Sequence, residues 1–188
     1  MANPSKDKGD KGELEAVRAI VALAPDLCVW NAMRMLGAGR KEDVGDLLVF
    51  PDAAIQVKAF KKSGLSAAIY SAAAGATAQA EVARHPHALG LVLVPRARLV
   101  GSVRWMACMD VWPLDGVEHQ QFSNSLAAFD SIKQAGPDSR ATAQVKRKDT
   151  APVILSSLQT WVVAYRLATN RPEPLTESIP AEPTGVLA

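Results

Sequence analysis

Apolar residues recur at helical spacing near the start of the chain, at Leu14, Val17, Ile20 and Val21, and Pro25 follows them. That pattern predicts an amphipathic helix over 11–24, with Glu13 one turn before Val17 and on its face. The period then shortens. Cys28-Val29-Trp30 predicts a short strand, and Gly37, Gly39, Arg40 and Lys41 mark a loop. Leu47–Phe50 and Ala54–Phe60 have strand composition and are separated by Pro51-Asp52-Ala53, so together they predict a hairpin. Residues 65–84 are rich in alanine, lack proline and end at His85-Pro86, the composition of a helix packed closely through small side chains. Leu89–Val94 predicts a fully buried strand and Val103–Met109 another. Residues 110–134 suggest a loop and then a helix, 135–150 a basic, alanine-rich connection, and 151–168 a final helix. No internal repeat is visible.

Helix, strand, hairpin, helix, buried strand describes a mixed central sheet flanked by helices, in the α/β or α+β class. The two ends lack periodicity: 1–10 mixes Lys, Asp, Gly and Ser, and 169–188 holds four prolines among polar residues. They are expected to be flexible ends of a single domain over 11–168. The composition agrees, since 188 residues with 48% hydrophobic and 21% charged suit one globular unit. A formal net charge of +2 is too mild to announce a nucleic-acid binder, so such a reading rests on where the charges lie. No apolar stretch reaches the roughly 18 residues of a membrane span, and the first residues lack a signal-peptide core, which points to the cytoplasm. Cys28 and Cys108 lack metal-ligand spacing and read as buried free thiols.

The chemistry concentrates in Gly45-Asp46 and Gln56-Val57-Lys58, taken with Glu13. Strand alternation puts Gln56 and Lys58 on one face. Pairing of Phe50 with Ala54 would set Asp46 opposite Lys58 and Leu48 opposite Gln56, adding the carboxylate to that face. Metal-assisted phosphodiester hydrolysis needs such parts. Asp46 offers a hard oxygen to Mg²⁺, the Gln56 side-chain oxygen and the Val57 carbonyl complete its sphere, and Glu13 adds a second anion. Lys58 would orient a water or stabilise charge on the phosphorus. The same residues also suit an ordinary hairpin with a half-exposed Asp46–Lys58 ion pair, worth under about 1 kcal/mol.

Glu13 in a first helix, Gly45-Asp46 opening a hairpin, Gln56-Val57-Lys58 closing it and an alanine-rich helix before an apolar strand resemble the PD-(D/E)XK nuclease superfamily. Within it the likeness is to the Holliday-junction-resolvase-like proteins of phages and archaea, and it covers about 11–109. The resemblance implies a restriction-endonuclease-like sheet with the active site on its hairpin. It implies Asp46 as central metal ligand, Glu13 as supporting acid, Gln56 in the acidic slot and Lys58 as catalytic lysine. It also implies Mg²⁺, with Mn²⁺ as a substitute, branched DNA as substrate and a homodimer that cuts two strands, in a bacterial host cell if phage-encoded. Gln56 departs from the usual Asp or Glu and leaves the site one negative charge short. A catalytically silent DNA-binding module, or a nuclease of this type with a different DNA substrate, is the alternative. The dipeptide Pro51-Asp52 sits at the hairpin tip and is a decoy.

Arg34, Arg40, Lys41, Lys61 and Lys62 flank the hairpin and are candidates for phosphate contact, as are Arg96, Arg98 and Arg104 beyond it. Lys146-Arg147-Lys148 suits either DNA or a solvated loop. Glu42 and Asp43 read as loop charges, and Gln79 either as a group near the site or as a helix-surface amide. His85 and His87 lack a third metal ligand, and His119 is isolated. Trp105, Trp112 and Trp161 read as core. Neither a P-loop nor a Gly-x-Ser-x-Gly motif is present.

Overall fold

Four helices and eight strands are built around one mixed sheet in the computed structural model, which describes residues 4–35, 45–59, 64–94, 101–147 and 150–170. The order is α1 (Pro4–Leu23), β1 (Met33–Arg34), β2 (Leu47–Leu48), β3 (Ala53–Lys58), α2 (Leu65–Ala83), β4 (His87–Leu93) and β5 (Trp105–Met109). It continues with β6 (Gln120–Phe122), α3 (Ser125–Ala135), β7 (Thr142–Val145), β8 (Val153–Ser157) and α4 (Leu158–Ala168). In the sheet the strands lie β1-β2-β3-β4-β5-β8-β7-β6. β1, β2 and β3 are antiparallel neighbours, and β4 runs parallel to β3 because α2 carries the chain back between them.

Alternation along the strands feeds two cores. Ile55, Val57, Leu89, Leu91, Trp105 and Ala107 pack with α1 and α4 on one face, while Val92, Met106, Cys108 and Leu155 pack with α2 and α3 on the other. Small side chains bring α2 close to the sheet: Ala68, Ala72, Ala73 and Ala76 are buried, and Gly90 of β4 lies beneath them. A Cβ on Gly90 would come within 2.6 Å of the Ala72 carbonyl carbon, so this contact exists only with glycine there. Trp105, Trp112 and Trp161 are buried as expected. Among the described residues no helix is long and apolar enough to cross a membrane.

Several local expectations shift. α1 starts at Pro4 rather than at 11, since proline suits a first helical turn. Its buried stripe is Ala16, Val17 and Ile20, and Leu14 stays exposed. Cys28–Trp30 is not a strand. Pro25 opens a short 3-10 turn, Val29 makes a single bond to the Val49 carbonyl, and the Trp30 side chain lies wholly in solvent. The stretch 151–168 divides: Val153-Ile154-Leu155 favours a strand, and the Ser157 side chain accepts the Thr160 N–H to start α4. Within 135–150, alternating burial of Thr142–Val145 makes β7. β6, in the segment read as loop and helix, is the far edge strand. The tail from 171 onward lies outside the described residues.

Candidate active site

Phe50 decides the hairpin. Its ring packs against Trp161 and Tyr165 of α4, at centroid distances of 5.6 and 4.7 Å, which draws residues 49–52 out of the ladder. Leu47 consequently faces Ile55, a slip of two residues from the expected register, and Asp46 lies beside Gln56 rather than opposite Lys58. A slip of two keeps the side-chain phase, so Asp46 still meets the face that carries Gln56.

Main chain holds Asp46 in place. Its N–H donates to the Ile55 carbonyl (2.9 Å) and its carbonyl accepts from Met35 N–H (2.8 Å). Its Oδ2 accepts from Val57 N–H (2.8 Å) and from Gln56 Nε2. Gly45 before it has φ +126°, and a Cβ there would sit 3.3 Å from the Ile55 backbone, so glycine lets the two strands close at this point.

Gln56 is buried at 7% exposure, and its Oε1 accepts from Nε2 of Gln79 on α2 at 3.0 Å. Gly75, one turn before Gln79, leaves the room: a Cβ on it would lie 3.0 Å from Gln56 Oε1. Charge fixes the direction of this chain of bonds. An ionised carboxylate only accepts, so Gln56 turns its NH₂ to Asp46, its oxygen turns to α2, and Gln79 has to donate.

On the other side stands Arg34, opposite Leu47 on the edge strand β1. Its Nε donates to Glu13 Oε2 and its Nη2 to Asp10 Oδ1. The bond to Glu13 raises the Arg34 pKa above its ordinary value; burial opposes this, and the charges of Glu13, Asp10 and Asp46 add to it. Glu13 belongs to α1, on the sheet face opposite α2. The structure therefore brings Asp46, Gln56 and Val57 into direct contact, and the Arg34 charge links Glu13 to Asp46. Lys58, half-buried at the end of β3, follows Gln56 on the same face and forms no ion pair among the described residues.

The oxygens able to hold a divalent cation at this corner are the Asp46 carboxylate, the Val57 carbonyl and the Gln56 amide oxygen. In a strand a residue's N–H and C=O share one edge, so the Val57 carbonyl faces the side to which its N–H donates. Hard, mostly neutral oxygens of this kind fit Mg²⁺ or Mn²⁺. The Gln56 oxygen joins them only if its amide turns over. Among the described residues no group of three or more His, Cys, Asp or Glu is placed to hold a metal, and at this corner Asp46 would be the anionic ligand.

Other candidates fall elsewhere. Tyr165 donates to Asp52, which ties the hairpin tip to α4 and away from Asp46. His87 stacks edge-on against Tyr165 at 5.2 Å, and burial lowers its pKa. His119 contacts Thr142 and Trp112. A cleft of about 370 Å³ between Arg84, His85, Trp112 and Asp115 opens where β4 begins, at the end of the sheet away from Lys58. Arg104 pairs with Glu15 at 2.6 Å. Cys108 is buried, and Cys28 is half-buried with its thiol pushed up to about 11 by desolvation. Arg40, Lys41, Glu42, Asp43, Lys61, Lys62, Arg96, Arg98 and Lys148 lie outside the described residues.

Searches against protein-family models, curated proteins and solved structures found no match for this chain. Sequence reasoning underweighted Gln79. The signal was present, because Ala72, Ala76 and Gln79 follow at helical spacing and place an amide on the stripe that packs against the sheet.

Proposed function

We propose that the protein is a divalent-metal-dependent DNA endonuclease of the PD-(D/E)XK type acting on branched DNA. The observation that carries this reading is the meeting of the Asp46 carboxylate, the Gln56 amide and the polar edge of Val57, with Lys58 next on the same face. The element order supports it: helix, antiparallel hairpin, helix and parallel strand follow as in the resemblance.

Asp46, Gln56 and Val57 would hold the cation. A divalent cation supplies there a Lewis acid for the phosphoryl oxygens and lowers the pKa of a nearby water. Lys58 would hold the attacking water in line with the phosphorus or donate to the charge that develops on the phosphoryl oxygens. Glu13 acts at one remove, by holding Arg34 beside Asp46. Arg40, Lys41, Lys61 and Lys62 would bind flanking phosphates, and two copies of the chain would cut the two strands of a junction.

Incubation of the full chain with linear, single-stranded, flap and four-way DNA, with Mg²⁺ or Mn²⁺, tests the reading. Cleavage of branched substrates is expected, with Lys58→Ala slower on the order of 10²-fold. Absence of cleavage on every substrate with both metals overturns it. The second reading is a silent DNA-binding module. It is favoured by the Gln56 NH₂ facing Asp46 and by Arg34 engaging Glu13, and binding without cleavage would select it.

A further inference from the structure

The buried amides of Gln56 and Gln79 can bond to each other in two senses. In the observed one Gln79 donates to Gln56, and Gln56 donates to Asp46. In the other both amides are turned over: Gln56 offers its oxygen on the Asp46 side, and its NH₂ donates to the Gln79 oxygen. The two must turn together. If one turned alone, two NH₂ groups or two oxygens would face each other at positions only 7% and 6% exposed, a mismatch of about 1–3 kcal/mol. A bare carboxylate at Asp46 favours the first arrangement, and a cation beside it favours the second, because a cation repels NH₂ and attracts the amide oxygen.

We infer that Gln79 is a positioning residue that decides which atom of Gln56 faces Asp46, and so sets the affinity of the corner for a divalent cation. The inference rests on the metal-dependent reading above. It makes α2 part of the site although Gln79 gives no oxygen to the cation. It also accounts for a glycine in the middle of a helix: the contact of 3.0 Å that a Cβ on Gly75 would make with Gln56 Oε1 falls on the atom that has to move. An ionised glutamate in place of Gln79 would offer acceptors only and turn the Gln56 NH₂ toward α2 and its oxygen toward Asp46.

Calorimetric titration of Mn²⁺ into the full chain at about pH 8, without DNA, tests this, with Gln79→Glu made in the native background and in Gln56→Met. Gln79→Glu should tighten Mn²⁺ binding by at least about fivefold in the native background and by much less in Gln56→Met. A second readout needs no substitution at Gln79. The side-chain NH₂ resonances of Gln56 and Gln79 should shift together when Mg²⁺ is added to the unaltered chain, and neither should shift in Asp46→Asn. Equal tightening in both backgrounds would reduce the effect to added charge and overturn the inference. Mn²⁺ binding with the Gln79 resonance unmoved would overturn it and leave the metal-dependent reading standing. No Mn²⁺ binding by any of these proteins would overturn both.

Discussion

Asp46 stands between two polar clusters built on opposite principles. Toward α1 and β1, one guanidinium holds two carboxylates, with side chains 18% to 31% exposed. Toward α2, two neutral amides are nearly sealed from solvent. Charges near water are strong one by one but screened, and each survives the loss of a neighbour because solvent replaces it. Buried amides have no such reserve, so every donor there has to meet an acceptor and orientation becomes the variable. The first cluster would therefore act on the proposed site by charge and the second by geometry.

The largest effect is expected at Asp46, which belongs to both clusters. Asp46→Asn keeps an acceptor for Val57 N–H and removes the charge, so cleavage should fall on the order of 10³-fold while DNA binding is kept or tightened. A rate near that of the native chain, with folding verified by circular dichroism, would remove Asp46 from the chemistry. Next comes the close approach of α2. Gly90→Val drives a side chain into the Ala72 backbone and should cost about 3 kcal/mol, read as a lower urea midpoint. Gly75→Ala is the milder partner. Alanine favours the helix by about 1 kcal/mol while its Cβ crowds Gln56, so stability should change little and Mn²⁺ affinity should change more.

On the charged side, Arg34→Gln removes the cation beside Asp46 and frees Glu13. Mn²⁺ binding should tighten by a few-fold at low salt, and the gain should shrink as salt rises. A gain independent of salt would mean that Arg34 acts through packing. The smallest effect is expected at His87, far from both clusters. Burial lowers its pKa from 6.5 although Asp52 pulls the other way. The unfolded chain then takes up the proton first, so the contribution of His87 is complete above 6.5 and is lost as pH falls through 6.5 toward the folded value. His87→Gln should flatten the decline of the urea midpoint between about pH 7 and pH 5, and an unchanged slope would reject this.

Much of this corner was legible without coordinates. Alternation alone put Gln56 and Lys58 on one face, the alanine run announced a helix close to the sheet, and the apolar run at 89–94 announced the buried strand beside β3. These are properties of phase, which a strand or helix carries in its own residues. What only the tertiary structure decided was which residues meet. The hairpin register depends on Phe50 finding Trp161 and Tyr165 near the far end of the chain, and no pattern within 45–60 contains that contact. Arg34 reads as a phosphate ligand until α1 brings Asp10 and Glu13 to it. Gln79 reads either as a group near the site or as a surface amide until α2 packs down on Gly90 and puts it against Gln56. Periodicity is written locally because backbone geometry repeats every few residues. Register and the pairing of buried polar groups follow from side chains distant in sequence, whose contacts exist only once the sheet and both helix layers have closed.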